Sequence, residues 1–146
     1  MESNAGAVWK GNLKDGNGVI STGSGVLSNI PYTFKTRFEG AKGTNPEELI
    51  AAAHSACFSM AFGAELGKAE IRPESIDTKS TVVLSQSSGG FAVTESRLVT
   101  VVSAPGGDRA KIEAAAAGAK ENCPISKLLN AKMSLVLTVN YLPFRE

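Results

Sequence analysis

The chain has 146 residues, 42% of them apolar, which is enough for one domain with a hydrophobic core and too little for two ordinary ones. Fifteen basic residues against fourteen acidic ones leave a net charge of +1, with no basic run and few aromatics, so a nucleic-acid partner is not expected. Met1-Glu2-Ser3-Asn4 lacks the basic and apolar regions of a secretory signal, so the expected location is the cytoplasm, where the two cysteines would stay reduced unless they take part in chemistry.

Ala7 to Leu13, Gly18 to Thr22 and Pro31 to Phe38 have strand character and are parted by turns such as Asp15-Gly16-Asn17-Gly18. They predict a small antiparallel meander. Within Pro31 to Phe38, Arg37 shares a face with Thr33 and Lys35, while Tyr32, Phe34, Thr36 and Phe38 share the other. Read by itself, Arg37 is an ordinary solvated arginine.

A helix with a well-specified start follows. Asn45 suits the N-cap, Pro46 the first helical position, and Glu48 completes a capping-box pattern. From Leu49 to Phe62 only His54, Ser55 and Ser59 are polar, which predicts a helix buried on most sides with Cys57 deep inside it. The run is short for a membrane span and reads as a core helix. A single small sheet covers one side of such a helix, so a homodimer is expected, with a site at the junction of the two copies.

Ile76 to Ser85 and Phe91 to Val102 flank the turn-rich Gln86-Ser87-Ser88-Gly89-Gly90 and predict a second hairpin, stopped by Ala104-Pro105-Gly106-Gly107. The alanine-rich segment Asp108 to Glu121 predicts a helix, and Pro124 opens a short one with Cys123 at its N-cap, where the helix dipole favours a thiolate. Met133, Leu135, Leu137, Val139 and Tyr141 alternate with polar or smaller residues in a last strand. The fold class expected is α+β, with antiparallel sheets around a long central helix, in one domain over residues 1–146.

Two thiols in settings that can activate them point to a redox pair, although a cysteine in a core is often only a small hydrophobe, and Cys123 could be a bystander at a helix start. His54 lies three residues before Cys57, on roughly the same side of the helix. Two cysteines and one histidine make a poor zinc set, so no metal is expected and His54 reads as a packed or supporting histidine. Trp9, Phe58, Met60 and Phe62 read as core, with Phe58 or Met60 also able to line an apolar pocket.

The run from Gly43 to Met60, with Asn45-Pro46-Glu47-Glu48-Leu49 and His54-Ser55-Ala56-Cys57-Phe58 inside it, together with Asn122-Cys123-Pro124-Ile125-Ser126, resembles the OsmC/Ohr family of thiol peroxidases, in its osmotically inducible branch. The resemblance implies an intertwined homodimer that reduces organic hydroperoxides in preference to hydrogen peroxide, with neither a metal nor an organic cofactor. It implies Cys57 as the peroxidatic cysteine and Cys123 as the resolving one, joined in a disulfide that an external dithiol resets. It also implies a catalytic Glu47, and an Arg37 that lowers the Cys57 pKa, orients the peroxide and is held by Glu47. Helix geometry favours Glu47 over its neighbour: at about 100° per residue, Glu47 lies about 80° from Cys57 around the axis and Glu48 about 180°. A binding protein for a small hydrophobic ligand, with both thiols merely packed, and a redox sensor using the same disulfide are the competing readings.

Overall fold

The computed structural model describes residues 1–143. The chain divides into two compact units, Met1–Leu49 and Ile50–Glu146.

In the first unit, β1 (Ala5–Lys10), β2 (Asn17–Thr22) and β3 (Ile30–Tyr32) form an antiparallel sheet in that order. Gly18 on β2 stands opposite Trp9 on one side and Tyr32 on the other. The two rings approach to 5.3 Å between centroids, and a Cβ on residue 18 would lie 2.5 Å from the Tyr32 ring and 2.8 Å from the Trp9 ring. Only glycine permits that aromatic clasp.

The third predicted strand is corrected. Its alternation suits a strand, but only Ile30–Tyr32 pairs, and Phe34–Phe38 is a short helix, α1. Thr33 decides this: its hydroxyl accepts the Thr36 N–H at 3.2 Å while the Thr36 hydroxyl accepts the Thr33 N–H at 2.9 Å. This reciprocal capping box starts a helical turn where the side-chain pattern favours extension. Arg37 therefore sits on α1, not on a strand.

The long helix α2 (Pro46–Lys68) begins in the first unit and runs on into the second. Asn45 caps it by accepting the Glu48 N–H at 2.8 Å, but the Glu48 carboxylate takes the Thr44 hydroxyl at 2.9 Å instead of closing the box.

In the second unit, β4 (Ser75–Ser87) and β5 (Gly90–Ser103) form the expected hairpin, with a register shift at Val83/Leu84. Helices α3 (Arg109–Asn122) and α4 (Pro124–Leu128) follow, then β6 (Lys132–Asn140). β6 pairs parallel to β5, which corrects the expectation of an antiparallel sheet throughout. The reason is connectivity: a strand reached through two helices re-enters in the same direction, whereas a tight turn would have reversed it.

The core is built on one stripe of α2. His54, Phe58, Phe62 and Leu66, spaced by four residues, are fully buried and meet Leu98 and Val102 of β5, and Ile112, Ala115, Ala116 and Ala119 of α3. Asp108 caps α3 by accepting the Lys111 N–H at 2.9 Å. The sheet also offers hydroxyls beneath α2: Ser59 donates to Thr78 at 2.9 Å, and Thr78 meets Thr100 at 2.8 Å. By contrast Ala52, Ala53, Ala56, Met60 and Ala64 are exposed, Met60 by 79%. The expectation of a helix buried on most sides is thus met on one side within the chain. The other side is apolar and uncovered.

Candidate active site

The cysteines meet within the second unit. Cys123 is both the last cap of α3 and the first of α4: its N–H donates to Ala119 at 2.9 Å, and its carbonyl accepts from Lys127 at 3.1 Å. Pro124 then occupies the first helical position, where a missing N–H costs nothing. Both thiols are free, and they are hydrogen-bonded to each other. The accessibility order reverses the expectation, since Cys123 is fully buried and Cys57 only half-buried. Of the two thiols, Cys57 is therefore the one that a small molecule can reach.

Burial pushes the Cys57 thiol up, and the hydrogen bond with Cys123 and the charge on Cys123 act in the same direction. Two thiols that share one site resist ionising together. The backbone N–H of Ile125, in the first turn of α4, also bonds to the Cys57 sulfur and pulls the other way by favouring the thiolate.

His54 lies on the same face of α2, one turn before Cys57, and is fully buried. Its Nδ1 is 2.6 Å from the Ser96 hydroxyl on β5 and its Nε2 is 2.9 Å from the Ser126 hydroxyl on α4. Ser80 on β4 extends the chain, 3.1 Å from Ser96. Burial pulls the His54 pKa below its ordinary value, so the ring is a neutral bridge. Ser96 escaped the sequence reading, and Ile125 and Ser126 entered it only within the run from Asn122 to Ser126, with no role assigned. Ser126 carried a signal, lying three residues after Cys123 as Cys57 lies three after His54.

Arg37 and Glu47 meet in the first unit. Arg37 Nη2 is 2.7 Å from Glu47 Oε1, and Arg37 Nε is 3.2 Å from each carboxylate oxygen. The Glu47 side chain is 11% exposed and that of Arg37 35%. The guanidinium carbon also lies 5.2 Å from the centre of the Phe38 ring, in cation–π range. Glu48 is exposed and serves the helix start. A cavity of about 230 Å³ lies beside Arg37, lined by Trp9, Leu13, Tyr32, Thr33, Phe34 and Phe38. Trp9 is therefore a cavity wall and Met60 is exposed, while Phe58 and Phe62 are core as expected.

The four candidates form two couples, Cys57 with Cys123 in one unit and Arg37 with Glu47 in the other. Among the described residues, histidine, cysteine and carboxylate side chains do not gather in groups of three or more able to hold a metal ion.

Residues 39–138 match the family described as OsmC-like protein. Peroxiredoxin OsmC of Escherichia coli (strain K12) is 50% identical over 129 residues, which span 88% of this chain and 90% of that one. The organic hydroperoxide resistance protein OhrB of Bacillus subtilis (strain 168) is 31% identical over 121 residues, 82% of this chain and 87% of its own. The crystal structure of an organic hydroperoxide resistance protein from Elizabethkingia anophelis, with crystallant-derived thiocyanate bound, superposes with a TM-score of 0.75 at 27% identity, covering 96% of this chain and 99% of that one. A mixed α+β fold with two sheets and a central helix, a paired cysteine couple and these relatives agree, and the chain belongs to the OsmC-like protein family.

Proposed function

We propose that this chain is a cysteine-based peroxidase that reduces organic hydroperoxides to alcohols in defence against oxidative stress. The observation that carries the reading is the contact between Cys57 and Cys123 across α2 and the start of α4. The relatives named peroxiredoxin and organic hydroperoxide resistance protein support the substrate class. In the proposed cycle the Cys57 thiolate attacks one oxygen of the O–O bond, the alkoxide leaves and takes a proton, and Cys57 becomes a sulfenic acid. Cys123 displaces water from that sulfenic acid to form the disulfide. An external dithiol then exchanges its two thiols for the disulfide and restores both cysteines.

Burial opposes ionisation of Cys57 and the Ile125 N–H offsets it only in part. The reading therefore assigns Arg37 to supply positive charge for the thiolate and the developing alkoxide, and Glu47 to hold the guanidinium in one orientation. We read residues 1–146 as one OsmC-like domain, because the family match runs through the division between the two units. A homodimer is proposed on the uncovered Ala53, Ala56, Met60 and Ala64 surface of α2, and the cytoplasm on the similarity to bacterial OsmC and Ohr proteins.

The test is consumption of cumene hydroperoxide with excess dithiothreitol by the wild type, Cys57→Ser and Cys123→Ser. Turnover that disappears in Cys57→Ser is expected. In Cys123→Ser, treated with peroxide in the absence of dithiothreitol, Cys57 should still react once and be trapped by dimedone as its sulfenic acid. An inert wild type that keeps both thiols after peroxide would overturn the enzyme reading in favour of ligand binding.

A further inference from the structure

Ser126 is the buried residue of α4, and it is a polar one. A helix of five residues has little hold on its own orientation, and this one, spanning Pro124–Leu128, carries half of the redox site. Cys123 caps it, and the Ile125 N–H bonds to the Cys57 sulfur. Ile125 packs against the core only in part, and the exposed Leu128 gives no anchorage. The tie that reaches deepest is the Ser126 hydroxyl, 2.9 Å from His54 Nε2.

His54 and Cys57 are three residues apart on α2, and Cys123 and Ser126 three apart at the start of α4. The sulfur pair and the imidazole–hydroxyl pair are thus adjacent rungs between the same two segments. His54 is itself braced from behind by Ser96 at 2.6 Å, and Ser96 meets Ser80 at 3.1 Å. The brace therefore runs from the sheet, through α2, to α4. A neutral imidazole suits it because one ring nitrogen donates while the other accepts, so each serine hydroxyl has a defined role.

We propose that His54 and Ser126 are positioning residues for the resolution step, fixing α4 so that Cys123 stays within disulfide reach of Cys57 while Cys57 is a sulfenic acid. The proposal rests on the peroxidase reading above. A disulfide demands a Cα separation of about 4.4 to 6.8 Å, a tolerance that a drifting α4 exceeds easily. The sulfenic acid has two fates. Attack by the Cys123 thiolate forms the disulfide and releases water; a second hydroperoxide oxidises the sulfenic acid to a sulfinic acid and leaves as its alcohol. Loosening α4 slows the first fate and not the second. The ratio of the two products therefore reports the position of Cys123, however fast the sulfenic acid forms.

The experiment compares wild type, Ser126→Ala, Ser126→Thr and His54→Gln by intact mass after graded cumene hydroperoxide, and at equilibrium in glutathione redox buffers. In Ser126→Ala the sulfinic-to-disulfide ratio should rise roughly tenfold, the scale of one lost hydrogen bond, and the disulfide should become easier to reduce by a similar factor. Ser126→Thr, which keeps the hydroxyl, should restore both values. His54→Gln, which keeps one amide donor, should fall between. Wild-type product ratios and wild-type glutathione equilibria in both Ser126→Ala and His54→Gln would overturn the proposal, as would a Ser126→Thr variant no better than Ser126→Ala. If the wild type leaves hydroperoxide untouched while the glutathione equilibrium shifts as expected, the peroxidase reading fails and takes the resolution step with it, and only the hold of His54 and Ser126 on the Cys57–Cys123 pair stands.

Discussion

Arg37 and Glu47 meet in a forked ion pair, with Nη2 2.7 Å from Oε1 and Nε 3.2 Å from both carboxylate oxygens. The fork fixes the plane of the guanidinium, which a single-point contact would leave free to turn. Arg37→Ala should lower kcat/KM for an alkyl hydroperoxide at least about 100-fold, and Arg37→Lys should recover little, because an ammonium keeps the charge without the fork. Glu47→Gln should cost about 1 kcal/mol of stability at most, since Arg37 is 35% exposed and water replaces part of the lost contact. Steady-state kinetics and urea unfolding check both. Unchanged turnover in Arg37→Ala would remove the arginine from the mechanism.

The buried, neutral His54 gives stability a defined acid dependence. Its pKa in the folded chain is below the ordinary 6.5, so above that pH the ring is neutral whether folded or not. As the pH falls through 6.5, the unfolded chain takes up a proton that the folded chain refuses, and stability drops until the lowered folded pKa is passed. This contribution has a slope of at most about 1.4 kcal/mol per pH unit. Urea unfolding from about pH 7.5 to about pH 5 should therefore show a steeper loss for the wild type than for His54→Gln. Parallel pH profiles would contradict the assignment.

Gly18→Ala tests the aromatic clasp of the first sheet. The added methyl would stand 2.5 Å from the Tyr32 ring and 2.8 Å from the Trp9 ring, so one ring must leave its place. A cost of about 1–3 kcal/mol is expected, together with a change in tryptophan fluorescence. A variant with wild-type stability and spectrum would show that the rings are not held as described.

Met60, 79% exposed on an otherwise alanine-lined surface, tests the proposed dimer. Met60→Lys should move the sedimentation coefficient toward that of a monomer at micromolar concentration, because a charge on an apolar contact must be desolvated. The wild type itself sedimenting as a monomer would end the proposal.

Where the chain's local signals agreed, they were readable. The Asn45 cap, the proline at the start of α2, the β4–β5 hairpin and the alternation of β6 all appear where the residue patterns put them. Preference for Glu47 over Glu48 came from the family resemblance, with helix geometry and the capping role of Glu48 in support, and Glu47 is the one that pairs with Arg37. Two signals competed between Pro31 and Phe38: alternating aromatics favoured a strand, and the Thr33–Thr36 capping box won.

What the sequence determined by itself were features set within a few residues: helix starts, turns, strand periodicity, and the presence of two thiols, one within a helix and one at a helix start. What the tertiary structure decided were relations between distant segments. Only folding made β6 parallel to β5, left Cys57 the more accessible thiol and Cys123 the buried one, and turned His54 from a lone helix residue into a bridge between Ser96 and Ser126. The physical reason is range. Capping and periodicity act through neighbouring backbone groups, whereas burial, strand direction and the partners of a buried hydroxyl depend on how non-local segments pack.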